Sequence, residues 1–250
     1  MKNPFRSKRW IVTGLLCAAF VAGYAATPGG TSAASPDFRA LVASPDRSEA
    51  DRKADERRKP EQLLAFTGVR AGMKVLDIGA GGGYTTELLA RAVGPQGVVY
   101  AQNGKPRDAF DERMKKPAMK NVVAAIRPFD DPAPPEAKDL DLIAVILFYH
   151  DITYMPVDRA KMNRRFFEAL KPGGHLIVID HSAKAGAGPE VGKTLHRIEE
   201  AQLRREVEAA GFKLEAQSGF LRDPGDPRDV PLREVSNMAT DRFALKYVKP

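Results

Sequence analysis

Short apolar runs alternate with amphipathic stretches along the chain from residue 73 onward. Residues 141–148 are apolar along most of their length, which is typical of strands buried on both faces of a parallel sheet. The runs predict seven strands, at 74–78, 97–101, 121–126, 141–148, 175–180, 212–221 and 242–248. Their alternation with helices predicts an α/β fold, a doubly wound sheet with helices on both faces.

Helical spacing predicts helices at 84–93, 159–170 and 194–210. Pro60 suits the first turn of an earlier helix. Residues 46–59 mix charges of both signs, which is typical of a solvated helix face and not of a binding patch. The proline-rich loop at 222–241 is expected to form a wall or lid over a substrate.

The N-terminus has the pattern of an export signal. Four basic residues precede an uncharged run at 10–26, and small residues follow it. We therefore expect a signal peptide at 1–25, a linker at 26–45, a single domain at 46–250 and a periplasmic location. An uncleaved anchor in the inner membrane is the alternative, although the uncharged run lies at the short end of the roughly 17–25 residues that a membrane span needs.

Composition excludes several classes of protein. Hydrophobic residues make up 43% and charged residues 28% of the chain, close to the globular average. The single cysteine, Cys17, excludes a disulfide framework. The signal carries four positive charges and no negative charge, so a formal charge of +7 becomes +3 after its removal. That charge is too small to predict a nucleic-acid partner, and membrane contact is expected only through the signal.

A glycine-rich loop, residues 77–83, directly follows the first predicted strand and precedes a helix. Glycines let the backbone approach a ligand, and a helix N-terminus offers unpaired N–H groups. The loop reads D-I-G-A-G-G-G, and Tyr84 stands where a dinucleotide fingerprint needs its third glycine. A tight turn without a ligand is the alternative.

The loop with its strand, residues 75–83, resembles the first motif of the class I S-adenosylmethionine-dependent methyltransferases, and residues 170–176 resemble the turn before their fifth strand. More narrowly, residues 148–151 and 240–243 resemble a bacterial group of exported "predicted methyltransferases" whose substrate is unknown. The resemblance runs from about residue 60 to 250. It implies strand order 3-2-1-4-5-7-6, an antiparallel last strand, and a cofactor over the carboxyl ends of strands one, two and four.

The resemblance also implies a set of cofactor contacts. Asp77 would hold the methionine amino group, and Thr85 its carboxylate. Asn103 stands where the family has an acid on the ribose hydroxyls, and exchanging a charged hydrogen bond for a neutral one costs about 1 kcal/mol, or roughly tenfold in affinity. An acid at 130 or 131 would meet the adenine, with a solvated turn as the alternative. The implied set is Asp77, Gly79, Ala80, Gly81, Gly83, Thr85, Asn103, Asp130 and Asp131.

Candidate catalytic residues follow the fourth and fifth strands. Methyl transfer needs aligned donor and acceptor, and a base where the acceptor must lose a proton. His150 is the predicted base because the pKa of imidazole is near neutral. Asp151 would orient His150 or the substrate, and Tyr149 would stack on the substrate. His181 would converge with His150 from the neighbouring strand. A simple strand cap is the alternative for His150.

His196 falls on the following predicted helix and is the weaker candidate. The histidines lack H-x-H or H-x-x-x-H spacing, so no metal is predicted. The expected function is S-adenosylmethionine-dependent methyl transfer to a small molecule or an envelope component. The difficulty is that this polar cofactor is made in the cytoplasm and does not cross a bilayer unaided.

Two other functions stay open. One is an exported ligand-binding protein on a methyltransferase scaffold, without transfer activity. The other is a metal-dependent hydrolase at His150 and His181. The sequence names neither the acceptor nor an oligomeric state.

Overall fold

The computed structural model describes residues 1, 36–235 and 240–250. The predicted signal peptide at 1–25 lies outside the described residues, apart from Met1. All elements below belong to the unit from Ala33 to Pro250. Among the helices described, none is both long and apolar enough to traverse a lipid bilayer.

Within the described residues, one seven-stranded sheet has the order β3-β2-β1-β4-β5-β7-β6. β7 runs antiparallel to both β5 and β6, and the other neighbouring strands are parallel. The predicted fold class and strand order are thus confirmed. The strands are β1 (Lys74–Ile78), β2 (Val98–Asn103), β3 (Val122–Ile126), β4 (Leu140–Ile146), β5 (Leu170–His181), β6 (Lys213–Ser218) and β7 (Arg242–Val248).

Helices cover both faces of this sheet. Leu88 and Leu89 pack on one face, and Phe166 and Leu203 pack on the other. Burial on two sides explains why the central strands are apolar along their length. The helices are α1 (Phe38–Val42), α2 (Glu49–Arg58), α3 (Pro60–Thr67), α4 (Tyr84–Val93), α5 (Asp108–Met114), α6 (Tyr149–Ile152), α7 (Arg159–Ala169), α8 (Val191–Leu195) and α9 (Glu200–Glu208), with 3₁₀ turns at Pro117–Met119 and Leu232–Glu234.

Apart from shifts of up to three residues at the ends of elements such as β2, β4 and β6, the structure differs from the sequence prediction in three places. α1 lies inside the predicted linker, where Phe38 and Leu41 pack against the core. β5 starts five residues before its predicted start. The helix predicted at 194–210 is two helices, α8 and α9, because the chain turns at His196, whose φ is +54°.

A buried ion pair holds the loop after β6 against this turn. The Arg197 guanidinium donates to both Asp226 carboxylate oxygens, at 2.7 and 2.9 Å, and both side chains are fully buried. Asp226 also accepts the backbone N–H of Asp241 at 2.7 Å. The pair therefore connects the α8–α9 turn to the start of β7.

We expect Asp226→Ala to lower the free energy of unfolding by about 3–5 kcal/mol, because it leaves a buried guanidinium without its partner. Urea denaturation followed by circular dichroism measures the change. Asp229→Ala is the matched control, since Asp229 pairs with Lys184 on the exposed surface and exposed pairs contribute little. Equal losses in the two variants would contradict the assignment.

Candidate active site

The carboxyl ends of β1, β4 and β5 meet at one edge of the sheet. Asp77 of β1 pairs with Ala144 of β4, which pairs with Ile177 of β5. Just beyond β4, Leu147 has a φ of +56°, a costly conformation for a branched side chain. Such strain is retained mainly at functional sites.

Two cavities meet at Leu147, and Arg58 is their other shared wall. The first, about 290 Å³, is here called the glycine crevice. Its lining residues are Arg58, Asp77, Gly79, Ala80, Gly81, Gly82, Tyr84, Thr85, Ala109, Arg113, Ile146 and Leu147. The second, about 250 Å³, is the imidazole cavity. Its lining residues are Arg57, Arg58, Leu147, His150, His181, His196, Leu232, Thr240 and Arg242.

The glycine loop has a conformation that favours glycine. Gly79, Gly81 and Gly83 have φ of +64°, +58° and +82°. A Cβ on Gly81 would have no neighbour nearer than 3.9 Å, so its approach to the crevice is open. Gly83 instead faces Phe110 and Arg113 and starts α4. Contrary to expectation, Gly83 therefore serves packing and does not face the crevice.

The end of β2 holds the glycine loop through two side-chain amides. Gln102 Oε1 accepts the N–H of Gly79 at 3.2 Å. Asn103 Oδ1 accepts the N–H of Gly81 at 2.9 Å, and Asn103 is 3% exposed. Asn103 is not among the residues that line the glycine crevice, so the structure gives no support to the ribose contact implied for it.

Asp77 is a buried carboxylate with one oxygen committed. Thr86 Oγ1 donates to Oδ2 at 2.6 Å, and the described residues provide no hydrogen bond to Oδ1. Burial raises the pKa of Asp77 to about 7, against the opposing effects of Thr86 and the Arg58 charge. A ligand ammonium at Oδ1 would satisfy this carboxylate, which fits the implied amino-group contact.

Helix α2 contributes a wall that the sequence analysis assigned to solvent. The Arg58 guanidinium lies 4.6 Å from the centre of the Tyr84 ring. Tyr84 donates its hydroxyl hydrogen to Asp55 at 2.6 Å. Among the described residues Arg58 has no hydrogen-bonded or ion-paired partner, so its guanidinium is available to an anionic group in either cavity.

Arg113 fixes the rim of the crevice. Its Nε donates to the carbonyl of Gly82 at 2.7 Å, and its guanidinium pairs with Asp51 and Glu87. Arg113 thus connects the glycine loop with α2 and α4.

The two acids after β3 lie outside the crevice lining. Asp130 pairs with Lys161 at 2.8 Å, and Asp131 pairs with Arg127 and Arg165. These surface pairs match the solvated-turn alternative. Thr85 and Ala80 line the crevice, as the resemblance implies.

The imidazole cavity contains the predicted histidines. His150 Nδ1 lies 2.6 Å from Asp180 Oδ1, and Asp180 is fully buried. Burial alone would lower the pKa of His150, but the charges of Asp180 and Asp151 raise it above its usual value. Asp180 therefore makes the closest contact that orients the His150 ring, while Asp151, the expected partner, lies 3.3 Å from its Nε2.

His181 meets His150 edge to face, with ring centres 5.6 Å apart. Its Nδ1 is 2.8 Å from Thr240 Oγ1. Burial lowers the pKa of His181 to about 3, helped by the positive charge of Arg242 and outweighing the attraction of Asp180. His181 is therefore a neutral imidazole at physiological pH.

Tyr149 points away from this site, contrary to prediction. Its hydroxyl donates to Glu206 at 2.8 Å and accepts from Asn163, and the side chain is fully buried in the other core layer. The α6 turn directs adjacent residues to opposite sides, so Tyr149 packs while His150 faces the cavity.

Several site residues escaped the sequence analysis. Arg58 belongs to a run of mixed charges in which no single residue stands out, and the resemblance implied a role for Thr85 but none for Thr86. Only the Asp180 position carried a signal, because it directly precedes His181 at the end of a predicted strand. The residues added by the structure are Arg57, Arg58, Thr86, Arg113, Leu147, Asp180 and Arg242.

The strand order and the glycine crevice together define the class of Rossmann-like methyltransferases. The chain belongs to the methyltransferase domain family, whose model matches residues 50–217. It is thus a member of the S-adenosylmethionine-dependent methyltransferases, and S-adenosyl-L-methionine is their cofactor. The crevice fits that cofactor through the half-satisfied Asp77 carboxylate and the open face of Gly81.

Two relatives illustrate the similarity in sequence. A ubiquinone/menaquinone biosynthesis C-methyltransferase UbiE from Idiomarina loihiensis is 30% identical over 134 residues, which are 48% of this chain and 47% of that protein. The UbiE protein of Shewanella sp. strain W3-18-1 is 30% identical over 187 residues, 74% of this chain and 67% of that protein. The chain thus spans about half the length of the first relative and about two thirds of the second.

Solved structures show the same fold. A SAM-dependent methyltransferase from Aquifex aeolicus matches with a TM-score of 0.58 and 21% identity, over 80% of this chain and 97% of that one. A putative sarcosine dimethylglycine methyltransferase from Galdieria sulphuraria matches with a TM-score of 0.57 and 18% identity, over 77% and 87%. At these identities the likeness concerns the fold alone.

We expect Gly79→Ala to weaken binding of S-adenosylhomocysteine, the demethylated cofactor, at least tenfold in calorimetric titration. The new Cβ would lie 2.3 Å from the Phe148 ring, so the segment after β4 must move. Gly72→Ala is the control, because its φ of +80° imposes similar backbone strain with no atom within 4 Å. Unchanged affinity in Gly79→Ala would show that the loop and Phe148 adapt freely.

We also expect the affinity for S-adenosylhomocysteine to fall as the pH drops below about 7. The Asp77 carboxyl takes up a proton there, and only the ionised form pairs with the ligand ammonium. The decrease approaches tenfold per pH unit for one proton. Asp77→Asn should bind weakly and show a flatter pH profile. An unchanged profile in Asp77→Asn would remove Asp77 from this role.

Proposed function

We propose that this chain transfers a methyl group to a small molecule or an envelope component bound in the imidazole cavity. One observation carries the proposal: the glycine crevice and the imidazole cavity share Leu147 and Arg58 as walls. A donor in the first and an acceptor in the second would meet at this boundary, as in-line displacement requires.

S-adenosylmethionine supplies a methyl group on a sulfonium, which is already an activated leaving group. The chain's own residues position the cofactor and the acceptor. Asp77 holds the amino group, and the glycine loop leaves room for the bound molecule. Arg58 lines both cavities, so its guanidinium can pair with a carboxylate of the cofactor or of the acceptor. His181 presents a neutral ring to the acceptor.

A quinone precursor is the first acceptor to test, because the relatives named above are named for ubiquinone/menaquinone biosynthesis. The cavity's mixture of imidazole rings and leucine side chains suits an aromatic acceptor with polar oxygens. Envelope lipids are the second set, since the N-terminal sequence supports export to the periplasm. Immunoblotting of periplasmic and membrane fractions checks that location.

The test measures binding and turnover separately. Calorimetry of the purified chain should give submillimolar binding of both S-adenosylmethionine and S-adenosylhomocysteine. Adding a quinone precursor or an envelope extract should then release S-adenosylhomocysteine, and Asp77→Asn should slow that release at least tenfold. Binding without turnover across both acceptor sets would favour a ligand-binding protein on this scaffold. Binding of neither cofactor form would overturn the proposal.

A further inference from the structure

Three metal-ligating side chains converge at the edge of the imidazole cavity. His150 Nε2 and His196 Nδ1 each lie 3.3 Å from the same oxygen, Asp151 Oδ1. The three ligand atoms all lie within 4.8 Å of one another. They come from two elements, because His150 and Asp151 lie on α6 while His196 ends α8.

The proton on His150 is fixed by Asp180. Its Nδ1 lies 2.6 Å from Asp180 Oδ1, and a buried carboxylate there accepts the Nδ1 hydrogen. The backbone N–H groups of His150 and His181 also donate to Asp180, both at 2.8 Å. When the ring is neutral, the lone pair of Nε2 consequently faces Asp151. Metal-ligating histidines are usually held by this carboxylate–imidazole arrangement.

In the neutral His150 ring, a lone pair that faces a carboxylate oxygen is repelled by it unless a proton or a metal ion lies between them. The 3.3 Å separations lie at the long end of the hydrogen-bond range, and the one between His196 Nδ1 and Asp151 Oδ1 still meets hydrogen-bond geometry. In a tetrahedral zinc site, bond lengths of about 2.0–2.2 Å place neighbouring ligand atoms roughly 3.3–3.5 Å apart. The geometry points to a site for one divalent transition-metal ion, of the zinc class, bound by His150 Nε2, Asp151 Oδ1 and His196 Nδ1.

The fold brings α8 close enough to complete this site. A Cβ on Gly192 of α8 would lie 2.0 Å from Thr153 Oγ1 and 2.7 Å from the carbonyl of His150. Only glycine permits that contact between α8 and the α6 turn. His196 then adopts a φ of +54°, an unusual conformation for a non-glycine residue, and this turn directs its ring to Asp151.

Three protein ligands leave a fourth position, as in catalytic rather than structural zinc sites. The cavity of about 250 Å³ borders the ligands. Arg57, Arg58 and Arg242 line the same cavity and repel a cation, while Asp151 and Asp180 supply two negative charges against the two of the ion. An anionic oxygen ligand at the fourth position would offset part of the positive charge of the three arginines.

The inference assigns Nε2 of His150 to the ion, in place of the base role that the sequence analysis gave it. If the proposed methyl transfer holds, the fourth position receives an oxygen of the acceptor, and this last step alone rests on the proposed function. Metal binding itself is measured without cofactor or acceptor, so the two proposals can fail separately.

The test is metal titration of the full chain after treatment with a chelator. Cobalt(II) should bind in one equivalent and give the visible absorption of a tetrahedral complex, and zinc should displace it. His196→Asn should weaken cobalt binding at least tenfold, since asparagine tolerates the backbone turn but does not replace the imidazole. Asp151→Asn should also weaken it.

His175→Asn is the matched control, because His175 lies at the start of the parallel segment of β5 and pairs with Glu215. It should bind cobalt like the wild type. Calorimetric titration with S-adenosylhomocysteine should give equal affinity in all variants and verify that they fold. Absence of cobalt binding in the wild type, or binding that survives His196→Asn and Asp151→Asn, would overturn the inference. The gap would then hold a proton, shared between His150 and Asp151.

Discussion

The parallel pairing of β4 between β1 and β5 is the constraint on which the rest of the site depends. Its register sets Asp77, Ala144 and Ile177 side by side. Parallel strands end at a common edge, and the chain leaves β4 where the order of the sheet reverses. The strained Leu147 follows at once, and it separates the two cavities.

Two buried carboxylates at this edge have different partners and so different uses. Asp180 accepts two backbone N–H groups and the His150 ring, which commits both of its oxygens. Asp77 accepts one hydroxyl and keeps a raised pKa of about 7. A saturated carboxylate fixes a side chain, whereas a half-satisfied one gains most from a cationic ligand. The same residue type therefore positions His150 in one cavity and favours an ammonium in the other.

The sheet could be predicted from the sequence because each buried strand appears as its own apolar run. β1 and β7 have the predicted bounds, and the convergence of His150 with His181 followed from the strand order alone. The sequence could not reveal which charge on α2 turns inward, since the Arg58 position depends on Tyr84 in a distant segment. Nor could it reveal that the Asn103 side-chain amide hydrogen-bonds to the glycine loop.

The turn at His196 was missed for a related reason. Helical spacing continues through 194–210, so nothing local marks a break. The break comes from tertiary contacts, namely the Gly192 approach to α6 and the burial of Arg197. Arg197 directly follows His196 and is fixed by Asp226, which also holds the backbone of Asp241.

The buried ion pair between Arg197 and Asp226 therefore supports two walls of the imidazole cavity. The loop after β6 contributes Leu232 and Thr240 to the lining, and the α8–α9 turn contributes His196. Buried ion pairs add little net stability over apolar residues of the same size. Here the pair's contribution is positional, because it sets the direction of a turn that helical spacing alone would have continued as a helix.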